Sequence, residues 1–212
     1  MSADPRPPVT SWAGKPPEQR REERRRRLLE AGLDAFGTEG YVASSINRIC
    51  KAARVTERDL YREFGGKPGL LVAVYDAVIS DVHAAVADAL DDPADPSLDG
   101  RVRAAIDAFT ASLTADPRVA RLNFLEVVGA DPQVEVHRRE VVRGFGHIVD
   151  TQWRALVDAG QLDRLPAPGL PMALVGAAQE LLVDWVSAPG ARSRADVVDE
   201  VVRVFVAVMR HA

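Results

Sequence analysis

The segment TERDLYREFGGKPGLL, residues 56–71, concentrates side chains that can hold phosphate. Hydroxyl, phenol, guanidinium and ammonium groups are the usual hydrogen-bond donors to the phosphate oxygens of nucleic acids. The residue types therefore predict phosphate contacts from Tyr61 and Lys67, which would set the position of this segment on a duplex. Thr56 is expected mainly to cap a helix, although its hydroxyl can also meet phosphate. Arg58 and Arg62 could instead read guanine edges or hold phosphate.

The element that carries these groups is predicted to be a short helix. Thr56 and Asp59 have the T-x-x-D spacing of a capping box, and Gly65-Gly66 ends the helix. Leu60 and Phe64 fall on one face at four-residue spacing, so that face is expected to be buried. The opposite face then carries four polar side chains: Glu57, Arg58, Tyr61 and Arg62.

Two further helices are predicted ahead of this one. The first runs from Glu18 to the sequence FGTEGY, and the second begins near Ser45 and ends at the turn Arg54-Val55. Apolar residues recur at helical spacing in both: Leu28, Leu29, Gly32, Leu33 and Phe36 in the first, and Ile46, Ile49, Cys50 and Ala53 in the second. Two short helices joined by a tight turn and braced by a longer one form a helix-turn-helix, whose second helix fits the DNA major groove.

From Leu28 to Leu71 the chain resembles the DNA-binding domain of TetR-family transcriptional regulators. The matching positions are Phe36, Gly40-Tyr41, Ile46, Ile49, Val55-Thr56, Leu60-Tyr61, Phe64, Lys67 and Leu70. The resemblance implies a homodimeric repressor of a palindromic double-stranded DNA operator, released by an unidentified small-molecule ligand. The alternative from another class is a helical interaction scaffold or enzyme with a coincidental helix-turn-helix.

Three positions qualify this comparison. Arg54 stands where the family usually has glycine in the turn, at a cost of about 1 kcal/mol if the position needs a positive φ. The arginine could offset this cost by reaching a phosphate. Glu57 and Glu63 lie on or beside the short helix that would contact DNA bases, here called the reading helix. Phosphate repels carboxylates at such a position unless cytosine N4 donates a hydrogen bond to them. The DNA-binding residues predicted in total are Ser44, Ser45, Asn47, Arg54, Thr56, Glu57, Arg58, Tyr61, Arg62 and Lys67.

Charge divides the 212-residue chain unequally. Residues 1–67 hold 14 Lys and Arg against 10 Asp and Glu, a net charge of +4, whereas the remainder has a net charge of −8. A basic segment joined to an acidic body predicts that only the smaller part meets a polyanion. The run Arg24–Arg27 opposes the helix dipole, so it indicates either an electrostatic role beside DNA or a solvated charged face.

The fold class predicted is all-α, in three parts. Residues 1–17 are expected to be a disordered tail, 18–66 a helix-turn-helix DNA-binding domain, and 67–212 a helical ligand-binding and dimerisation domain. After a long helix from Lys67 to about Leu90, helices are expected at roughly 100–115, 117–130, 132–159, 171–187 and 194–210. Asp116-Pro117 and Asp131-Pro132 mark two of the starts, because aspartate caps and proline suits the first turn.

Two functional regions are predicted in this second domain. The last helix is apolar on two faces, so one of them is expected to meet a second copy of the chain. The predicted dimer interface comprises Ala173, Gly176, Ala177, Glu180, Val197, Val201, Val204 and Val208. Core packing alone would explain each large apolar residue of this domain, but the family resemblance implies an inducer pocket. The predicted pocket comprises Phe109, Leu113, Asn123, Phe124, Val128, His147, Gln152, Trp153, Met172 and Gln179.

Several function classes are not indicated by the sequence. Cys50 is the single cysteine, and the four histidines lack the spacing of metal ligands, so no metal site and no cofactor are predicted. No nucleophile elbow or phosphate-binding loop occurs, and catalytic residues are therefore not expected. The N-terminus has no hydrophobic secretory region and no long uninterrupted apolar run is present, which predicts a cytoplasmic protein without a membrane partner.

Overall fold

The computed structural model describes residues 16–91, 93–188 and 190–211, and their regular structure is helical, with no strand. The N-terminal half of the fold contains α1 (Pro17–Thr38), α2 (Ile46–Ala53), α3 (Glu57–Phe64) and α4 (Lys67–Asp91). It continues with α5 (Leu98–Thr114), α6 (Pro117–Arg121), a π-helical stretch (Leu122–Glu126, here the π segment), α7 (Pro132–Asp158), α8 (Leu170–Ser187) and α9 (Arg194–His211). The all-α prediction is confirmed. The tail predicted as disordered lies, up to residue 15, outside the described residues.

Local capping explains where most of these helices begin. Ser45, Thr56, Ser97, Asp116 and Asp131 each accept a hydrogen bond from a backbone N–H in the first turn of the following helix. These bonds satisfy donors that have no partner inside the helix. The two Asp-Pro starts predicted from sequence, at residues 116 and 131, are thus confirmed as capped helix starts.

The predicted helix over 117–130 differs from the observed structure. Only Pro117–Arg121 is α-helical, and the Val127 N–H donates to the Leu122 carbonyl, five residues back, at 3.1 Å. The wider π turn ends at Glu126, and residues 127–130 form a bend and turn instead of helix. π turns inside helices are rare and often lie at functional sites.

Two hydrophobic cores hold the helices together. The smaller core joins α1, α2, α3 and the start of α4 around Leu28, Phe36 and Leu60. The larger core joins the rest of α4 with α5 and α7 to α9 around Trp153, Leu182 and Phe205. α4 contributes to both, with Leu70 and Leu71 in the first and Val82 and Val86 in the second.

α4 is also, among the described residues, a helix long and apolar enough to cross a membrane by length and composition alone. This is weak evidence for a span, because a buried core helix meets the same criterion. Its side chains at eight positions are buried by the rest of the chain. The length and apolarity of α4 are therefore explained by its membership of both cores.

Candidate DNA-binding surface and ligand cavity

The cap of α3 forms as the sequence predicts. The Thr56 hydroxyl oxygen accepts the Asp59 backbone N–H at 3.1 Å and its O–H donates to the Asp59 carboxylate at 2.7 Å. Arg62 forms an ion pair with the same carboxylate. The hydroxyl of Thr56 holds the pKa of Asp59 below its usual range, and Arg62 adds to the effect. Thr56 and Asp59 therefore act as capping residues, and Arg62 is partly held by this network.

The outer face of α3 presents its largest side chains to solvent. Leu60 is fully buried below it, whereas Arg58 is exposed and Tyr61 retains 53% of its accessible surface. Neither the Arg58 guanidinium nor the Tyr61 hydroxyl makes a hydrogen bond within the described residues. Both side chains are thus free to contact an external partner, as the predicted DNA-binding role requires.

The two glutamates that would oppose DNA are both engaged. The Asn47 amide donates to the Glu57 carboxylate at 2.9 Å, which joins α2 to α3. Glu63 accepts from Arg21 at 2.9 Å and from Arg25 at 3.3 Å, and its side chain is only 12% exposed. The hydrogen bond from Arg21 is the largest cause that lowers the pKa of Glu63. The charge of Glu63 is therefore compensated by two arginines, whereas Glu57 is hydrogen-bonded to a neutral amide and keeps its charge at the exposed surface.

The turn between α2 and α3 uses a left-handed residue, as the glycine preference of such turns predicts. Arg54 has φ 55° and ψ 49° and is the one non-glycine residue with positive φ among those described. Its N–H donates to the Lys51 carbonyl at 3.2 Å, and the next N–H, that of Val55, donates to the Cys50 carbonyl. The Arg54 side chain is exposed and available for phosphate.

Two predicted phosphate ligands have structural contacts instead of a free surface. The Lys67 ammonium donates to the Ser44 carbonyl at 2.8 Å and lies 4.4 Å from the centre of the Tyr41 ring. Burial lowers its pKa. The Ser44 hydroxyl is buried and donates to the Tyr41 carbonyl at 2.9 Å. Lys67 and Ser44 therefore brace the turn between α1 and α2, and Ser45 caps α2 while remaining exposed.

A long cavity runs through the second half of the fold. Its lining comes from α4, α5, the π segment, α7, α8 and α9, and the cavity volume is about 140 Å³. Tyr75 and Leu90 of α4 mark the extent of the cavity along that helix. Fifteen residues at 1.5 Å each make this about 22 Å. Most lining residues are apolar; the polar exceptions are Tyr75, Arg101, Asn123, Arg138, Gln152 and Gln179.

The predicted pocket residues divide into two groups. Five of the ten line the cavity: Phe109, Asn123, Phe124, Gln152 and Gln179. The other five do not: Leu113, Val128, His147, Trp153 and Met172.

The excluded five have identifiable positions. Leu113 is fully buried core, while Val128 follows the π segment and is half exposed. His147 lies on the exposed side of α7, and Met172 is exposed on α8. Trp153 is completely buried and its indole N–H donates to the Arg164 carbonyl at 3.1 Å, which holds the loop after α7.

The N-terminal region matches the family model for bacterial regulatory proteins of the tetR family over residues 28–74. This range covers the second half of α1 together with α2, α3 and the start of α4, the elements that form the helix-turn-helix. The chain carries a TetR-family DNA-binding domain. A TetR-family protein is a DNA-binding transcriptional regulator, and the prediction of family and general function is confirmed.

Solved structures of other proteins share the whole TetR-family fold. The fatty acid degradation regulator FadR from Bacillus halodurans is 18% identical, covers 94% of this chain and all of its own, and gives a TM-score of 0.77. FadR from Bacillus subtilis, solved with stearoyl-CoA, is 16% identical with a TM-score of 0.75, over 85% of this chain and 97% of its own. AibR, solved with isovaleryl coenzyme A and operator DNA, is 17% identical with a TM-score of 0.63, over 85% and 97%.

In this chain the π segment joins the cavity to the TetR-family DNA-binding domain. Asn123 and Phe124 line the cavity, and Leu122 belongs to the smaller core. The Glu126 carboxylate accepts the Tyr41 backbone N–H at 2.7 Å. Arg121 donates to Glu126 at 2.9 Å and to the Thr38 carbonyl at 3.0 Å. Residues 121–126 therefore contact both the cavity and the region where α1 ends.

α6 also packs closely on α1. A Cβ added at Gly37 would lie 2.6 Å from the Cβ of Arg118, so a side chain at this position requires the two helices to separate. The Arg118 guanidinium reaches Asp34 at 3.3 Å and Glu30 at 3.4 Å on α1. Sequence patterns did not single out Arg118, Arg121 or Glu126. Their partners in and just after α1 are more than eighty residues away in the sequence, so no local spacing indicates these contacts.

Two predicted interface residues are placed in the protein's own core. Val197 and Val201 are completely buried within the single chain, so neither can meet a second copy. The other six predicted interface residues retain partial or full exposure: Ala173, Gly176, Ala177, Glu180, Val204 and Val208. The last helix does have two apolar faces, and the face that remains accessible is the one containing Val204 and Val208.

Proposed function

We propose that this TetR-family regulator is a cytoplasmic homodimeric repressor that holds a palindromic operator and releases it when a small molecule fills the cavity. The helix-turn-helix supplies Arg58, Tyr61 and Arg54 to the DNA, with Ser45, Asn47 and Thr56 near phosphate. A ligand can change DNA affinity only by binding one arrangement of the protein more tightly than another. Such a ligand would act through an element that connects the cavity with the helices that contact DNA.

The π segment is the observation that carries this proposal. Filling the cavity requires displacement of, or contact with, Asn123 and Phe124, and their neighbour Glu126 holds Tyr41 at the end of α1. α1 in turn holds α3 through the ion pairs of Arg21 and Arg25 with Glu63. A shift of the π segment would therefore change the position of the reading helix.

The lining of the cavity favours a ligand with an apolar chain. The side chains around it are predominantly Val, Ile, Leu and Phe, which gain from burial of apolar surface. Two of the structurally similar proteins were solved with acyl-CoA thioesters, stearoyl-CoA and isovaleryl coenzyme A. We therefore propose an acyl compound as the ligand.

Footprinting of DNA upstream of the chain's own coding region tests the function. The expected result is protection of a palindrome whose half-sites are about one helical turn, roughly 34 Å, apart. Protection should disappear when hexadecanoyl-CoA is added. Absence of any sequence-specific protection would favour the scaffold or enzyme alternative.

Glu126→Gln tests the connection through the π segment. The variant keeps the side-chain size but removes the charge that strengthens the hydrogen bonds from Tyr41 and Arg121. We expect the ratio of operator affinities without and with hexadecanoyl-CoA to fall by about fivefold, within the range of allosteric coupling energies. Asp88→Asn, an equal charge change at an exposed position of α4, should leave the ratio intact. An unchanged ratio in Glu126→Gln would rule out this route.

A further inference from the structure

The two ends of the cavity differ in chemistry. α4 and α7 run in the same direction, because the Tyr75 ring contacts the His137 ring edge-on and the His83 ring contacts the Phe145 ring eight residues further along both helices. The end beside the DNA-binding domain contains Tyr75, Asn123 and Arg138, and the opposite end contains Leu90, Arg101 and Gln152. Gln179 is the remaining polar residue of the lining, and the other walls are apolar.

Arg101 supplies an uncompensated positive charge at the far end. Its Nη2 donates to the Gln152 amide oxygen at 2.7 Å, and within the described chain it has no carboxylate partner. A guanidinium has five N–H donors, so four remain for another group. Carboxylates and phosphates match this donor arrangement because they accept two parallel hydrogen bonds.

Arg138, the other cation in the lining, is already neutralised. Its Nε and Nη2 each donate to the Glu135 carboxylate at 2.9 Å. The hydrogen bonds from Arg138 and Arg139 lower the pKa of Glu135 to about 2, so the carboxylate stays charged. An anionic ligand would have to compete with this pair, and Arg101 is therefore the favoured anion site.

Asn123 supplies an unsatisfied polar atom near the opposite end. Its Oδ1 is buried without a hydrogen-bond partner, and the side-chain amide makes no hydrogen bond to the described residues. A buried acceptor without a donor is unfavourable, because it has lost its hydrogen bonds to water. A hydroxyl on a bound molecule would relieve this penalty.

Resting on the proposed ligand-responsive function, we propose that the cavity binds a long acyl chain whose anionic end is held by Arg101 and Gln152 and whose other end carries a hydroxyl bonded to Asn123. The chain must cross most of the about 22 Å between the two ends. Because Asn123 belongs to the π segment, ligands that reach it act on the element that contacts Tyr41. Shorter chains bind in the same tube without reaching this segment.

Calorimetric titration of the full chain without DNA tests the two polar contacts separately from repression. The ligands are hexadecanoate, its methyl ester, its terminal-hydroxy derivative and its coenzyme A thioester. Wild-type protein is expected to bind hexadecanoate about tenfold more tightly than the methyl ester, and the hydroxy derivative about fivefold more tightly than hexadecanoate. The carboxylate and the thioester present two sources of anion, and the tighter ligand identifies which one the site uses.

Three variants give each contact its own result. Arg101→Gln should remove the preference for the charged ligands, while Arg103→Gln, on the same helix but paired with Asp199, should keep it. Asn123→Leu should remove the preference for the hydroxyl and keep binding of hexadecanoate. Because Asn123 makes no bond in the empty protein, this variant should not lower the thermal midpoint. A preference for charge that survives Arg101→Gln, or equal binding of the ester, overturns the anion site.

The hydroxyl site has its own contrary outcome. Equal binding of hexadecanoate and its hydroxy derivative by the wild type, or the same preference in Asn123→Leu, would show that Asn123 does not contact the ligand. Since these titrations contain no DNA, either result leaves the footprinting test of the proposed function unaffected. If the titrations give the expected results but no DNA is protected, the proposed regulatory function is contradicted while the proposed ligand site stands.

Discussion

At the residue scale, Arg54 shows a conflict between the local backbone and the side chain. The turn needs a left-handed residue, and the observed φ of 55° meets that need at the expense of a Cβ close to the following carbonyl. Glycine would have no such strain. The Arg54 side chain is exposed, as the proposed contact to phosphate requires.

Arg54→Gly separates these two effects. The substitution should raise the free energy of unfolding by up to about 1 kcal/mol because the strain is relieved. It should also weaken binding to operator and random DNA alike and reduce the slope of affinity against salt by about one, because one phosphate contact is lost. Urea unfolding and salt titrations of DNA binding measure the two results.

Lys51→Gly is the matched control for this prediction. Lys51 is exposed in the last turn of α2, where the backbone is helical, so glycine there should destabilise the protein by about 1 kcal/mol instead. An Arg54→Gly variant that is less stable than wild type would contradict the strain argument. If Arg54→Gly binds DNA as tightly as wild type, the Arg54 side chain does not contact phosphate.

At the element scale, the first turns of α1 extend the DNA-binding domain beyond the segment that matches the family model. Arg21 and Arg25 pair with Glu63 of α3, and the Arg25 guanidinium lies 5.0 Å from the centre of the Phe64 ring. This extension therefore supports the C-terminal end of the reading helix. The run Arg24–Arg27 was predicted to be either an electrostatic surface beside DNA or a solvated charged face. Arg25 instead joins α1 to α3 through Glu63 and Phe64.

Glu63→Gln tests this support through its pH dependence. The folded pKa of Glu63 is lowered, so its contribution to stability is present above the unfolded pKa, about 4.3, and is lost as pH falls through the folded value. The variant should be less stable than wild type by roughly 0.5 kcal/mol near neutral pH, since Arg21 is largely exposed to solvent. The difference should shrink as the pH falls below the unfolded pKa and vanish once the pH lies below the lowered folded pKa.

The measurement is urea unfolding of both proteins across this pH range. Asp81→Asn, at an exposed position of α4, serves as the control for a general loss of negative charge. A stability difference that persists unchanged at low pH would mean that the amide disturbs packing and that the ion pairs do not stabilise the fold.

At the scale of the whole molecule, the sequence predicted where the helices begin and end better than which face of each helix is buried. Helix starts follow from Thr56, Asp116 and Asp131, whose capping is local chemistry. Which face of α9 points inward depends on its packing against α5 and α8, so Val197 and Val201 were wrongly expected at an interface. His147 was predicted to line the cavity for the same reason, but it lies on the exposed face of α7, whose other residues do line the cavity.

The π segment lay beyond sequence reasoning for a related reason. Leu122–Glu126 has ordinary helix-forming residues and no glycine or proline to mark a change of pitch. Its wider turn depends on distant partners, because Glu126 holds Tyr41 and Leu122 enters the core of the DNA-binding domain. Tertiary contacts therefore select a conformation that local propensity does not specify.

The accessible faces of α8 and α9 are where we expect two copies to meet as a four-helix bundle. A Cβ added at Gly176 would meet nothing within 4 Å, so this part of α8 has room for a partner's backbone. Val204 and Val208 are partly buried on α9, which packs against α8. A two-fold axis places each face against its own copy, so a new charge near the axis opposes itself.

Val204→Glu should therefore yield folded monomers, measured by light scattering at micromolar concentration. Operator affinity should fall as well, because two half-sites are bound tightly only while the two reading helices are tethered. Val136→Glu, at a valine that is 61% exposed on α7, is the control and should remain dimeric. Val201→Glu should instead unfold the chain, since it would leave an unpaired charge in the core. A Val204→Glu dimer would place the interface elsewhere, and a monomeric wild type would contradict binding to a palindrome.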